Sequence, residues 1–461
     1  MNTPINWQQF GLKNNPYDTL PLVEGGDISI KDAFVGRRKE RQFLDGIFES
    51  EDRACIAVCG DTGVGKTSLT NFEKFIWKYT NEKLLFSFRR EIEACDDLLN
   101  KRPFIIEILG SVVREIQLLE PTLLKEELFR RIQAILDISQ SLSISGGLSG
   151  GIMGYSGGID FGKDSSISQP AQISTTILEG YLVSLVEFIK SHSIAGLQYS
   201  GLIIHVNNFD VVLSKEENKA KVIHFFNEIR DVLQLKNTYF VFLGPKEFFR
   251  EIIAAERRVK SIFIQTPLTL NPLGKKEVVE AFDQRMKLLK SENISTYIKP
   301  IEDEVVFRLY DLYQGDIRSI MSAIRDILGH FSEKMINPPL SINEAMLLLG
   351  RERLERIERS SPLTKGQREM LSKLVQTGKN ISQKEASKLF GKPESNISSH
   401  YFKPLKNMGI IEEKNRVGKM IYWGLTTHYE PLRWVYQSQQ EVGKAARKVA
   451  EKHPTLFGGL E

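Results

Sequence analysis

Gly60-Asp61-Thr62-Gly63-Val64-Gly65-Lys66-Thr67 follows the apolar run Cys55-Ile56-Ala57-Val58-Cys59 and leads into a helix-compatible stretch from Lys66 to Tyr79. A buried strand, a glycine-rich turn and a helix in that order make a phosphate loop. The glycines let backbone N–H groups curl around phosphate oxygens, and the helix N-terminus adds its dipole. Lys66 supplies a point charge for the β and γ oxygens, the Thr67 hydroxyl is placed for Mg²⁺, and Ser68 continues the cradle. The expected ligands are therefore ATP and Mg²⁺, bound by residues Gly60 to Ser68. A glycine turn of purely structural meaning is the alternative, and the flanking strand and helix argue against it.

Outward from the loop, apolar strands alternate with helical patterns. Gly201-Leu202-Ile203-Ile204-His205-Val206 and Tyr239-Phe240-Val241-Phe242-Leu243 read as buried parallel strands. Between and before them, Arg38–Phe48, two helical runs within 103–137 split at Pro121, Thr175–Ser191 and Lys215–Leu235 carry helical spacing. This alternation predicts a doubly wound α/β core over residues 1–267. Residues 268–360 are mostly helical, with Val305, Val306 and Leu309 on one apolar face and Ile320, Met321, Ile324 and Ile327 on the next, and read as a helical lid. His205 reads as a hydrogen-bonded core histidine more readily than as a ligand. The stretch 139–170 is glycine- and serine-rich, with alternating apolar residues such as Leu148, Ile152 and Ile159. It reads as a hairpin or flap that orders against a partner, or as a linker.

Composition narrows the class. At 461 residues the chain has room for several domains, and with 26% charged and 41% hydrophobic residues it has the balance of a folded globular protein. No apolar run of about 18 residues and no charged-then-apolar leader is present, so no membrane association is expected and the cytoplasm is the default compartment. Three cysteines, two of them on the strand before the phosphate loop, read as small core residues rather than a disulfide framework or a zinc site. Net charge is +4, but residues 361–461 hold 17 Lys and Arg against 9 Glu and no Asp, a net of +8 that leaves 1–360 at −4. A basic C-terminal region on a nearly neutral body suggests a polyanion-binding module.

That module has a recognisable order over residues 361–428. A helix from Thr364 to Thr377 is followed by Ser382–Phe390 behind a serine cap, the turn Gly391-Lys392-Pro393-Glu394-Ser395, and a third helix to about Met408, with a kink expected at Pro404. Ile410-Ile411 and Met420–Trp423 then form a wing whose basic tip is Glu413–Lys419. This is a winged helix, in which the third helix enters the major groove of double-stranded DNA. Its candidate base contacts are Asn396, Ser399, His400 and Lys403, with Lys414, Arg416 and Lys419 on phosphate. Docking to a protein client is the alternative use of such a domain. Residues 429–461 read as a helical tail.

Three further motifs fall in a telling order. Phe34-Val35-Gly36-Arg37 precedes the phosphate loop, Arg257-Arg258-Val259-Lys260-Ser261 follows the strand ending at Leu243, and Gly315-Asp316-Ile317-Arg318 lies in the lid region. Together with the phosphate loop they resemble AAA+ ATPases of the origin-recognition and replication-initiator type. The resemblance implies an adenine pocket lined by Val35. It implies an arginine finger, Arg258, acting on a neighbour's nucleotide in a homo-oligomer, and a second sensor, Arg318, at the γ-phosphate. It also exposes a departure. Where the family has an acidic pair, this chain has Asn207-Asn208-Phe209-Asp210. Asn207 can accept from a Mg²⁺-bound water, but an amide carries no charge and cannot act as a base. Asp210 is the catalytic carboxylate candidate, and Gly244-Pro245 leaves no polar first sensor. The expectation is an ATP-controlled DNA-binding switch with slow or partner-dependent hydrolysis. The rival is a STAND-like signalling or defence NTPase whose winged helix and glycine-rich segment bind proteins.

Overall fold

The computed structural model describes residues 5–145, 173–329, 338–360 and 362–438. It comprises two compact units, Leu20–Leu273 and Met1–Thr19 together with Gly274–Glu461.

The first unit is built on a parallel sheet. Its elements in chain order are α1 (Ile30–Ala33), α2 (Arg38–Ser50), β1 (Ala54–Gly60), α3 (Lys66–Tyr79), β2 (Phe86–Ser87), β3 (Ile92–Glu93), α4 (Lys101–Leu119) and α5 (Glu127–Ser145). There follow α6 (Thr175–Ser191), β4 (Leu202–Asn207), α7 (Phe209–Val212), α8 (Asn218–Glu228), β5 (Thr238–Gly244), α9 (Arg257–Lys260) and β6 (Leu268–Leu270). Strand order is β2-β4-β5-β1-β6, with β3 also paired to β4 in this six-stranded sheet. All of these pairings are parallel. Alternation along β1 explains the double winding. Cys55, Ala57 and Cys59 pack with Phe104 and Ile108 of α4, Leu182 of α6 and Phe225 of α8. Ala54, Ile56 and Val58 face Leu44 and Phe48 of α2 and Leu69 and Trp77 of α3. Helices thus cover both faces, the condition for an all-parallel sheet. This is the doubly wound α/β core that the alternation of strands and helices implied.

In the second unit the N-terminal segment up to Thr19 is tied to the first helix after Gly274. α10 (Lys275–Leu288), α11 (Asp303–Tyr313), α12 (Ile317–Leu328) and α13 (Ile342–Ser360) make up the helical run that the sequence reading took for a lid. The Arg285 guanidinium on α10 donates to the Asp18 carbonyl at 2.8 Å, and Tyr17 packs edge-on to Phe282 with ring centroids 5.3 Å apart. Beyond α13 come α14 (Lys365–Thr377), β7 (Ile381–Ser382), α15 (Gln383–Phe390), α16 (Glu394–Asn396), a π-turn over Ile397–Phe402, α17 (Lys403–Asn407), β8 (Ile411–Val417) and β9 (Met420–Leu425). The three strands pair in the order β7-β9-β8, antiparallel throughout, the pairing expected of a winged helix. Capping boxes open α14 at Thr364 with Gln367 and α15 at Ser382 with Glu385, as the Ser cap anticipated.

Several local expectations shift. Residues 141–145, whose alternation looked strand-like, continue α5, because an adjacent apolar helix outweighs a short period-two pattern. The rest of the glycine-rich stretch lies outside the described residues. The wing cations Lys414 and Arg416 sit within β8 rather than at the tip, which is Gly418-Lys419. The irregularity expected at Pro404 is the π-turn just before α17: proline has no N–H to donate, so the helix widens upstream.

Candidate functional site

The phosphate loop has the backbone its sequence requires. Gly63 and Gly65 lie at φ of 80° and 93°, a region a side chain resists. Gly60 is required for a different reason, since a Cβ there would stand 2.8 Å from the Leu270 carbonyl oxygen. Lys66 is buried, and its Nζ donates to the carbonyls of Gly60 at 2.8 Å and Asp61 at 3.1 Å. The amine is thereby held over the loop's interior, where a phosphate chain would displace the carbonyls.

The sequence did not announce the brace on this loop. Arg37 is buried, adopts φ of 63°, and its Nη2 donates to the Val64 carbonyl at 2.7 Å while Nη1 pairs with Glu40 at 2.9 Å. It ties the loop's apex to the start of α2. Next to it Phe34 stacks on Phe72 at 4.3 Å, and Arg41 covers the other side of that ring at 4.4 Å. Glu73, bonded to Arg41 at 2.9 Å, is pushed up to about 8 by burial and by the nearby Asp45 carboxylate, against the pull of Arg41. Val35 is half-buried beside this stack.

At the C-terminal end of β4 the two asparagines differ in role. Asn207 reaches the loop, its amide donating to the Thr67 hydroxyl at 3.0 Å. Asn208 is the N-cap of α7 with φ of 68°. Asparagine adopts that left-handed conformation readily and glutamate does not, so the backbone itself disfavours a glutamate here. Asp210, one residue into α7, stands 3.8 Å from Lys66 Nζ. The site therefore brings together Lys66, Thr67, Asn207 and Asp210. Magnesium normally keeps several waters and takes one or two carboxylates plus nucleotide phosphates. The Thr67 hydroxyl with the Asp210 carboxylate nearby fits a cation carried in with the nucleotide, and no cluster of three or more His, Cys, Asp or Glu among the described residues makes a protein-only cage. The missing first sensor also has a steric cause: a Cβ on Gly244 would meet Phe248 Cγ at 2.3 Å.

Behind the sheet's nucleotide end lies a buried ionic cluster that sequence spacing alone did not reveal. Lys78 bonds Glu115 at 2.7 Å and Glu24 at 3.3 Å, and Arg89 pairs with both acids. Lys74, one turn earlier on α3, is pushed down to about 8 by burial. The only hint was Lys74 and Lys78 spaced four apart on α3, the helix whose Leu69, Phe72 and Trp77 are buried. His205 is buried as expected but not satisfied: neither ring nitrogen has a partner among the described residues, and burial, then Lys74, holds it well below the usual imidazole range.

The arginine candidates are exposed. Arg258 on α9 and Arg318 at the start of α12 make no side-chain hydrogen bond or ion pair among the described residues. Asp316 caps α12 by accepting from the backbone N–H groups of Arg318 and Ser319 at 3.0 and 3.3 Å.

On the winged helix, Asn396, Ser399, His400 and Lys403 are all exposed. Ser399 spends its hydroxyl on the Ser395 carbonyl at 2.9 Å, which leaves its oxygen as an acceptor. On the wing, Lys414 pairs with Glu412 at 2.6 Å and Arg416 with Glu413 at 3.0 Å. Lys419 at the tip is exposed, between the exposed apolar Val417 and Met420.

No protein-family model matches the chain, and no curated protein does. Among solved structures it is similar to the Aeropyrum pernix ORC1 protein in complex with DNA, at 14% identity over 94% of this chain and 98% of that one, with a TM-score of 0.42. It is also similar to the Aeropyrum pernix ORC2 protein in ADPNP–ADP complexes, at 14% identity over 93% and 100%, TM-score 0.43. A third likeness is to the Drosophila ORC bound to DNA, at 11% identity over 91% and 90%, TM-score 0.39. The strand order and the phosphate-loop geometry carry the fold assignment by themselves. No helix among the described residues is long and apolar enough to cross a membrane.

Proposed function

We propose that this chain is an ATP-binding switch of the AAA+ kind that grips double-stranded DNA through its winged helix and assembles with copies of itself according to nucleotide state. The observation that carries the reading is the assembled phosphate-binding end of the sheet, with Lys66 held over the loop and Thr67 joined to Asn207 at 3.0 Å. Lys66, Thr67 and the loop N–H groups bind the phosphates, and Arg37 fixes the loop's shape through the Val64 carbonyl. Thr67 and, through water, Asn207 would hold Mg²⁺, which would supply charge neutralisation at the phosphates. Hydrolysis is slow or needs a partner, because Asn207 and Asn208 cannot take a proton. Exposed Arg258 serves a neighbour's nucleotide and Arg318 acts from the lid. The cytoplasm is the expected compartment.

DNA binding is tested by titrating the full chain against duplexes at several salt concentrations. Affinity is expected to fall with salt at a slope of roughly −0.9 per phosphate contact. Substitution at Asn396 or His400 is expected to alter preference between sequences by about 1 to 3 kcal/mol. A salt-independent affinity, or none, overturns the DNA reading. The second reading, a STAND-like signalling or defence NTPase with a protein client, is favoured by one observation: the ion pairs of Lys414 and Arg416 with Glu412 and Glu413 leave the wing less cationic than its sequence suggests.

A further inference from the structure

The register of the sheet places a carboxylate beside the missing acids. β3 runs parallel to β4 with Glu93 opposite Asn207, and the Ala94 N–H donates to the Asn207 carbonyl at 2.9 Å. In-register partners on neighbouring parallel strands project to the same face and stand about 4.8 Å apart. Asn207 sends its side chain to the Thr67 hydroxyl, so the face shared by Glu93 is the one that borders the phosphate loop. The acidic motif that follows β4 supplies no free carboxylate in its place. Asp210 faces Lys66 at 3.8 Å, and position 208 is an amide in a backbone conformation unfavourable to glutamate. Glu93 is exposed and has no hydrogen-bond or ion-pair partner among the described residues.

We infer that Glu93 is the general base of this ATPase, a catalytic carboxylate moved to the neighbouring strand. The inference rests on the reading that the phosphate loop holds ATP. Glu93 takes a proton from a water whose oxygen attacks the γ-phosphorus. The bond from that phosphorus to the β–γ bridging oxygen breaks, its electron pair stays on ADP, and the proton passes from Glu93 to solvent as inorganic phosphate leaves. The departure at Asn207-Asn208 then relocates the base rather than abolishing hydrolysis. Turnover stays slow because Asn207 adds no charge and the first sensor is absent.

The experiment compares the full-length wild type with Glu93→Gln and Glu93→Asp in single-turnover hydrolysis of radiolabelled ATP, alongside equilibrium ATP affinity and thermal melting. Lys66→Ala marks the background from contaminating enzymes. Glu93→Gln is expected to lower the hydrolysis rate by roughly 100-fold or more, with ATP affinity within about twofold of wild type and melting unchanged. Glu93→Asp should fall between the two. Wild-type hydrolysis by Glu93→Gln, or a wild type that binds ATP yet never rises above the Lys66→Ala background, overturns the inference. A wild type that fails to bind ATP overturns the nucleotide reading beneath it, so the two failures are told apart.

Discussion

The phosphate loop and the wing are both cation-bearing connections in this chain, and they use charge in opposite ways. Lys66 is buried, and its partners are carbonyls that a phosphate can replace and a carboxylate 3.8 Å away. The wing's Lys414 and Arg416 are tied to glutamates two and three residues before them on the same strand. Counting charge gave the C-terminal region its +8, but availability of charge is set by neighbours. A loop preorganised around an anion keeps its cation for the ligand, whereas an exposed strand lets its cations pair locally at little energetic cost.

The largest expected effect tests the first half of that contrast. Lys66→Ala should weaken ATP affinity by at least about 100-fold, or about 2.7 kcal/mol, measured by calorimetry. A smaller loss means the backbone cradle alone holds the phosphates. Next in size is Arg258→Ala, which should leave monomer ATP affinity within about twofold and weaken ATP-dependent assembly by about 10-fold, roughly the weight of one charge-assisted contact, followed by sedimentation. If the mutant monomer loses ATP, the arginine serves its own subunit.

The wing sharpens the second half. Replacing Lys414, Arg416 and Lys419 together should flatten the salt slope of duplex binding by about two to three units if the glutamates release them to phosphate. Glu412→Gln with Glu413→Gln should steepen it by up to about two units if the pairs persist in the wild-type complex. A slope indifferent to both changes moves the wing into protein docking.

The smallest expected effect concerns the joint between lid and winged helix, where a Cβ on Gly350 of α13 would meet the Pro431 carbonyl oxygen at 2.4 Å. His428 at this joint is pushed down to about 4 by burial, then by Arg353 and Arg356. Between about 4 and its ordinary 6.5, the unfolded chain binds a proton that the folded one refuses. Its contribution is therefore complete above pH 6.5 and lost as pH falls towards 4. After allowance for its partial exposure, about 1 kcal/mol of stability should disappear between pH 7 and pH 5. Denaturant melts of wild type and His428→Gln should show that difference shrinking in the variant.

Legibility in the sequence followed contiguity. Lys66–Tyr79 and Thr175–Ser191 were readable to the residue because each carries its own start signal and apolar stripe. The run 215–235 was read as one helix but breaks into α8 and a 3₁₀ turn over Val232–Gln234. There Val232 and Leu233 are buried by β1 and β5 contacts that no local pattern encodes. In the candidate site, Lys66, Thr67 and Asp210 were nameable from motif spacing. Arg37 as a brace and Glu93 as a neighbour of Asn207 were not, since each depends on residues distant in the chain.

By itself the sequence determined the phosphate loop, the alternation that makes a parallel sheet, the absence of an acidic pair and the order of the winged helix. These are local matters of residue type and period, and the backbone has few ways to satisfy them. The tertiary structure alone decided that Asn208 sits in a left-handed turn, that Phe248 occupies the space a first sensor would need, that the wing's cations are paired, and that Glu93 shares a register with Asn207. The physical reason is common to all four. Each is a relation set by packing and strand pairing, where a neighbour in space fixes which conformations, volumes and charges remain available.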